Sequence, residues 1–416
     1  MLGKRKQCDV LVVGAGPVGQ LAALLMAREG LRVEIVDEAW RSAGRSYAAA
    51  IHPTSLELLD DVGLIQGVLD SAHPVDAVAF YDRSDRRAEV DLSALETPFP
   101  FVAVLPQSTL ESQLEAELKR RGVPIHWHHR AASFEDVGDR VAVEVEVLER
   151  ASTGYAYSTT TLEIAKTFRY DVGLLIGADG QGSLVRRGLR IPFEQMGEPE
   201  EYDVFEFQSS LDLGREVRVV LNDDSANVLW TLPGGRQRWS FQVDPAVVPA
   251  QRSRVKSRLA MQIPGEASPK HTASYLRGLI EARAPWFAGE VGDIAWAGDV
   301  AFESRLARSF GAGRVWLVGD AAHQTGPIGV QSMNQGLLEA AELATAAVRI
   351  IKGGADLGLL QQYGASHRAK WQRLIAGPAV DPGSQEWVAQ RAARVVRALP
   401  VSGRHFDVVA EKLGIA

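Results

Sequence analysis

Residues 9–30 read DVLVVGAGPVGQLAALLMAREG. Asp9 to Val13 is a run of β-branched and leucyl residues, the composition of a strand covered on both faces, and it stops at glycine. Gly14, Gly16 and Gly19 follow in G-x-G-x-x-G spacing. In that spacing the first glycine permits a tight turn, the second lets backbone approach a pyrophosphate, and the third lets a helix pack on its strand. Pro17 opens the helix, Val18, Leu21, Ala22 and Leu25 give it a buried side, and Gly30 supplies a C-terminal cap. An anion would sit at the helix N-terminus, where free N–H groups and the macrodipole converge.

A glycine pattern by itself is only a turn; its flanks make it specific. A second strand, Leu31 to Val36, ends in Asp37 and Glu38. Asp37 stands 23 residues after Gly14, close to the roughly 20 expected for a carboxylate that accepts from a ribose hydroxyl. An acid there disfavours a 2′-phosphate, so strand, helix, strand and acid together predict a tightly held FAD or NAD(H).

The chain has 416 residues, enough for a large core and two or three domains. A formal charge of −7 and a pI near 5.8 give no reason to expect nucleic acid or an anionic membrane as partner. One cysteine, Cys8, excludes an internal disulfide and fits a reducing cytoplasm, with the residue itself read as a small buried one. No stretch reads as a membrane span, because the N-terminal apolar run is better explained as strand plus helix.

Beyond Asp37 comes a loop with Arg41, Arg45 and Tyr47, then a helix from Pro53 to Val62. Arg45 is placed either to reach the pyrophosphate or to be a solvated surface arginine. Residues 76–102 read as short strands with an aromatic turn at Pro98 to Phe101. Ser108 and Glu111 have capping-box spacing ahead of a helix that stops at Gly122. Gln107, just before that cap, is open between a capping amide and a ligand.

Ile125 to Arg130, Val141 to Leu148 and Thr159 to Phe168 read as a three-stranded meander turning near Gly154, and Val172 to Ile176 as a further strand. His126, His128 and His129 lack further ligands at metal-binding spacing and are read as strand-face residues, with no metal site. From Glu198 to Ile294 the pattern has period two, with strands around Val217, Trp230 and Phe241. Their aromatics either wall an apolar pocket or form a core against a helix. Helices near 249–262 and 270–285 follow, then a strand at Gly313 to Gly319, a long helix from about Asn334 to Ile351, and a mostly helical end.

Two later stretches join the first glycine turn: GADGQGSLVR, Gly177 to Arg186, and GRVWLVGDAAHQTGPIGVQSMN, Gly313 to Asn334. In order and spacing the three resemble the D-G-x-x-S-x-x-R and G-D-A-A-H-x-x-x-P elements of the flavoprotein aromatic hydroxylases of the p-hydroxybenzoate hydroxylase type, from residue 9 to about 350. The resemblance implies an α/β fold: an FAD-binding Rossmann-like domain of the glutathione-reductase type, an inserted mixed or antiparallel β-sheet domain for substrate, and a helical C-terminus. The implied FAD-binding segments are 1–75, 103–188 and 292–375; 76–102 and 189–291 form the substrate sheet, and 376–416 the helical end.

It also implies roles. Gly14, Gly16, Pro17, Val18 and Gly19 would form the dinucleotide turn, Asp37 with Glu38 would meet the adenosine ribose, and Arg45 the pyrophosphate. Gln107 would lie against the phosphate or ribitol side, Asp179 and Gly180 would brace the pyrophosphate region, and Gly319 and Asp320 the ribitol. Pro327 and the loop Gly329, Val330, Gln331, Ser332, Met333 and Asn334 would line the isoalloxazine, where a helix N-terminus meets the negative charge of reduced flavin. His323 reads as structural. Val330 and Ser332 depart from the family's glycine-rich loop, and the C-terminal region leaves no room for the thioredoxin-like domain of larger relatives.

The implied activity is a single-component, cytoplasmic monooxygenase, monomer or homodimer. It would take electrons from transiently bound NADH or NADPH and hydroxylate an apolar or aromatic small molecule with O2 through a C4a-hydroperoxyflavin. No catalytic base can be picked from the sequence. An FAD-dependent reductase or dehydrogenase on the same scaffold, and a non-catalytic flavin-binding redox sensor, are the alternatives.

Overall fold

The apolar runs at Asp9–Val13, Leu31–Val36, Val172–Ile176 and Gly313–Gly319 come together as parallel neighbours. In the computed structural model, which describes residues 2–40, 50–153, 159–222, 225–244, 271–378 and 386–415, one sheet carries strands in the order Val315–Leu317, Thr159–Gly177, Leu2–Val13, Val33–Asp37, Ile125–Trp127. All of these pair in parallel. Val13 lies opposite both Val36 and Gly177, and Gly177 lies opposite Leu317. Their carboxyl ends are therefore level, and every loop leaving them opens on one edge, where ligands of open α/β sheets bind.

Two strand boundaries differ from the sequence reading. Thr159–Gly177 is a single strand, because Tyr170 and Asp171, which look like a polar break, are buried with partners. Tyr170 donates to Glu34 at 3.0 Å, and Arg5 pairs with Asp171. Conversely, Ile125–Arg130 is broken at His128, whose φ is +59°. Ile125–Trp127 joins the parallel sheet, while His129–Asp136 pairs with Val141–Thr153 and that strand with Thr159–Gly177, both antiparallel. The turn around Gly154 lies outside the described residues.

The Pro17–Arg28 and Gln331–Ile351 helices cover one face together, and Gly30 closes the first at φ +79°. The expected capping box does not form. The Gln107–Arg120 helix starts two residues earlier than that box requires, with Pro106 at the cap and no side-chain cap. Thr109 N–H already donates to the Pro106 carbonyl at 2.9 Å, which puts Ser108 inside the first turn. Cys8 is buried as expected, and burial pushes its thiol up to about 12.

A second, seven-stranded sheet runs in the order Ile294–Phe302, Glu200–Gln208, Arg236–Val243, Ala226–Leu232, Glu216–Leu221, Ala77–Asp82, Asp85–Asp91. It is antiparallel except where Glu216–Leu221 meets Ala77–Asp82. Its aromatics divide by face. Phe205, Phe207, Trp239 and Phe241 pack on Leu276 and Ile280 of the Ala273–Arg283 helix, whereas Tyr202, Val228, Trp230 and Leu232 join the core shared with the first sheet. The helix expected near 249–262 lies outside the described residues.

The chain ends in the Gly358–Ala376, Trp387–Gln390, Ala392–Ala398 and Arg404–Lys412 helices. No described helix is long and apolar enough to cross a membrane.

Candidate active site

Gly14 sits at φ +108°, and a Cβ there would stand 2.2 Å from the Ala178 carbonyl oxygen. The first glycine turn is thus pressed against the start of the second motif. A Cβ on Gly19 would meet the Gly14 oxygen at 2.2 Å and the Ala178 Cβ at 3.0 Å. Gly16, between them, would meet nothing within 4 Å. That open surface lies at the N-terminus of the Pro17–Arg28 helix, where the first-turn N–H groups have no intrahelical acceptor and no side chain caps them. Free N–H groups at a helix N-terminus can hold a phosphate.

Asp37 ends its strand beside this turn. Its Oδ2 accepts from Ala15 N–H and its Oδ1 from Ala39 N–H, both at 2.7 Å. Two backbone bonds fix the carboxylate and leave each oxygen a second lone pair for a ribose hydroxyl. Glu38 follows it, half-buried. Arg45, with Arg41 and Tyr47, lies outside the described residues.

Within the second motif, Asp179 works locally. It accepts from Ser183 Oγ at 2.5 Å, Leu184 N–H at 2.6 Å and Val185 N–H at 3.1 Å, so it organises the Leu184–Gly188 helix start. Burial pushes its carboxyl above the usual range against those bonds. Gly180, at φ +70°, has open space where a Cβ would be. Arg186 reaches the third motif: its guanidinium donates to the Ala321 carbonyl at 2.6 Å and the Gln181 carbonyl at 2.7 Å, and it stacks over Phe193. Burial lowers it to about 10, which leaves it charged.

In the third motif, Gly319 and Asp320 form a tight 3-10 turn. A Cβ on Gly319 would touch Val18 at 3.2 Å, and one on Gly336 would approach Val18 at 2.8 Å, so Val18 is the wedge where the first and third motifs meet. The Asp320 side chain is exposed at the sheet edge. The protein crowded beside it still pushes its carboxyl upward, with His323 opposing.

Glu339, which the sequence reading does not single out, holds this turn from beneath. Its Oε2 accepts from Gly319 N–H at 3.0 Å and lies 2.8 Å from His323 Nε2, and its Oε1 accepts from Trp371 Nε1 at 2.7 Å. Burial alone would raise its carboxyl, but His323, His367 and the indole hold it below the usual range. His323 is fully buried and stacks on Trp371 at 3.9 Å, which fits a structural member of the loop. An acid on the buried stripe of an Ala/Leu helix is the signal that points to Glu339.

The loop from Pro327 to Asn334 is tied down on both sides. Asn334 Oδ1 accepts from His52 N–H at 2.8 Å, and its Nδ2 donates to the carbonyls of Ala50 at 3.0 Å and Val330 at 2.9 Å. His52 Nε2 lies 2.9 Å from the Gly329 carbonyl, and burial drives this imidazole down to about 3. It is therefore neutral, donating from Nε2. Gln331 donates to the carbonyls of Leu399 at 2.6 Å and Val401 at 2.9 Å, so its side chain faces the C-terminal segment. Ser332 Oγ accepts from Thr325 N–H at 3.1 Å.

Val330 is the N-cap of the Gln331–Ile351 helix at φ +51°, a left-handed backbone that a β-branched residue rarely takes. The helix begins before Met333, which is buried in its first turn. Gln107 opens its own helix and donates to Glu111 Oε1 at 2.7 Å.

Between this loop, the second sheet and the C-terminal helices lies a cavity of about 270 Å³, lined by Tyr202, Gln242, Ile328, Leu374, Arg397 and Ala398 among others. Asp203, His271 and Asp299 also cluster on the far face of that sheet. His271 Nε2 lies 3.0 Å from Asp299 and 3.7 Å from Asp203. Burial works against its charge, but the two carboxylates outweigh it and draw the imidazole up to about 9.

The model of the family described as FAD binding domain matches residues 7–377. The 6-methylpretetramide 4-monooxygenase of Streptomyces rimosus is 28% identical over 398 residues, covering 94% of this chain and 64% of its own length. This chain thus spans less than two thirds of that relative. The para-nitrophenol 4-monooxygenase of Pseudomonas sp. (strain WBC-3) is 27% identical over 368 residues, covering 86% of this chain and 82% of its own. The solved p-nitrophenol 4-monooxygenase of Pseudomonas putida DLL-E4 superimposes with a TM-score of 0.70 at 23% identity, covering 98% of this chain and 97% of that one, a likeness of fold.

Proposed function

The chain belongs to the FAD binding domain family, among its aromatic hydroxylases, and from that premise we propose that it is a single-component monooxygenase. It takes electrons from NADH or NADPH and uses O2 to hydroxylate a small apolar or aromatic molecule. The observation that carries this reading is the convergence of three glycine turns on one sheet edge, with Asp37 and Asp320 at two points along it and a cavity beyond the last loop.

FAD, when bound, supplies the redox chemistry, accepting a hydride from the nicotinamide and delivering electrons to oxygen. The chain's own residues do the rest. Gly14, Gly16, Val18 and Gly19 would seat the pyrophosphate, with Asp37 on the adenosine ribose, Asp179 and Gly180 behind the turn, and Asp320 on the ribitol. Pro327 to Asn334 would face the isoalloxazine, and the N-terminus of the Gln331–Ile351 helix would stabilise negative charge there. The apolar wall of Ile328, Leu374 and Ala398 would exclude water from the reacting carbon.

The test is purification followed by turnover with labelled O2. A yellow protein should consume NAD(P)H faster with a suitable phenol or quinolone and place one labelled oxygen in the product. NAD(P)H consumption with no labelled product across such a panel ends the proposal. Anaerobic turnover with substrate as electron acceptor identifies a reductase, and a flavin that NAD(P)H does not bleach identifies a sensor.

A further inference from the structure

The cavity has one acid and two bases on its walls: Glu200, Arg394 and Arg397. Glu200 stands at the start of the Glu200–Gln208 strand, and its Oε2 accepts from the Tyr202 hydroxyl at 3.1 Å. Tyr202 is fully buried, so this bond fixes the carboxylate at the cavity edge. Gly326 makes room for it, since a Cβ there would stand 2.8 Å from Glu200 Oε2.

Arg397 comes from the opposite side, on the last turn of the Ala392–Ala398 helix. The backbone of that turn is pressed on the loop: a Cβ on Gly329 would meet the Arg397 carbonyl oxygen at 2.4 Å and the Leu399 carbonyl oxygen at 3.0 Å. The Arg397 backbone is thus anchored, and within the side chain Nε donates to the Ala393 carbonyl at 3.3 Å. Its Nη1 lies 3.7 Å from Glu200 Oε1, beyond hydrogen-bond length, and its side chain is 39% exposed. An ion pair this loose and this wet is easily exchanged for a better partner. Arg394, in contrast, is held by the carbonyls of Asn222 and Ser225.

We propose that Arg397 is a specificity residue: it leaves Glu200 to bind an anionic oxygen, phenolate or carboxylate, on a one- or two-ring aromatic ligand in this cavity. The inference rests on the hydroxylase reading of the site and names its substrate class. A planar guanidinium can grip a carboxylate through two parallel N–H donors and a phenolate oxygen through charge-assisted N–H donors converging on it. Size sets the ring count, since a cavity of about 150 Å³ holds one benzene and this one has about 270 Å³. Glu200 supplies the counter-selection, because a ligand that cannot recruit Arg397 meets a carboxylate instead.

The experiment is calorimetric titration of the FAD-loaded full chain with probes paired by shape: benzoate against benzamide, 2-naphthoate against 2-naphthamide, and 4-cyanophenolate against benzonitrile. The first two pairs report carboxylate binding and the third phenolate binding. Wild-type protein should prefer the anion of at least one pair. R397Q should weaken that anion about tenfold with its neutral counterpart unmoved, and R397K should restore part of the loss. E200Q, by freeing Arg397, should tighten the same anion severalfold. Arg397 is partly exposed, and unchanged melting temperatures would show that both variants fold; were R397Q to fail to fold, E200Q alone would decide. Neutral probes bound as well as the anions by wild type, or anion-to-neutral ratios unaltered in both variants, overturn the proposal. Titration needs no turnover, so Arg397-dependent anion binding without oxygen transfer upholds this inference and sinks the hydroxylase reading.

Discussion

Gly14 and Gly16 stand two residues apart and face opposite constraints, which separates folding from binding at the scale of single residues. Gly14→Ala puts a methyl into the Ala178 carbonyl and strains a φ of +108°. It should cost about 3 kcal/mol or more in a urea titration, the range of strain and overpacking combined. Gly16→Ala meets only open space. Its stability should fall by no more than about 1 kcal/mol, while FAD retention on purification drops sharply; a Gly16→Ala protein that stays fully yellow would place the pyrophosphate elsewhere. Val330 offers the converse case. Alanine is normally the better residue inside a helix, but at φ +51° the missing Cβ of glycine relieves strain. Val330→Gly should therefore be more stable than Val330→Ala by about 1 kcal/mol, and the reverse order in matched urea melts would show that the left-handed cap is not a strained one.

At the scale of elements, Glu339 joins one helix to the turn of the third motif and to a second helix through Gly319 N–H, His323 and Trp371. Removing it leaves His323 and a backbone N–H buried without an acceptor. Glu339→Ala should cost about 3–5 kcal/mol, seen as a lowered urea midpoint, with a loss of FAD affinity because the Asp320 turn loosens. What was readable beforehand follows local chemistry. The parallel strands, the glycine turns and an acid, Asp37, ending the second strand announce themselves within a few neighbours, and so does the helical cap at Gly30. The Glu200–Gln208 and Ile294–Phe302 strands hide because polar positions are satisfied by other elements: Asp203 by Tyr275 of the Ala273–Arg283 helix and Glu206 by Arg238 of the neighbouring strand. Gly298 and Asp299, residue types common in turns, lie mid-strand. Asn334 to His52, Gln331 to Leu399 and Arg397 to Glu200 are pairings between distant segments, and no local pattern carries them.

For the whole molecule, two buried histidines with opposite shifts bound the pH range of stability. His52, at the cap of the Pro53–Asp61 helix, ties that helix to the loop at Gly329 and to Asn334, and burial holds its imidazole near 3. Its folded value is depressed, so the unfolded chain takes up the proton first, below its ordinary value of 6.5. Stability from this site is present above 6.5 and lost as pH falls toward 3, by up to roughly 5 kcal/mol. His271 has the opposite sign. Held near 9 by Asp203 and Asp299, it contributes fully below 6.5 and loses its contribution as pH rises through 9, by up to roughly 3 kcal/mol. The two together put the stability maximum near pH 6.5. Between 6.5 and 5 the ordinary carboxylates have hardly begun to titrate, so the acid-side slope belongs to the histidines that burial holds down, His52 first and His129 after it. Urea midpoints measured across this range should fall on both sides; His271→Gln should flatten the alkaline side alone, and His52→Gln the window from 6.5 to 5. A wild-type profile that stays level from 6.5 to 9 would mean that His271 carries no proton between its two aspartates, and the way the second sheet is held to its helix would need another explanation.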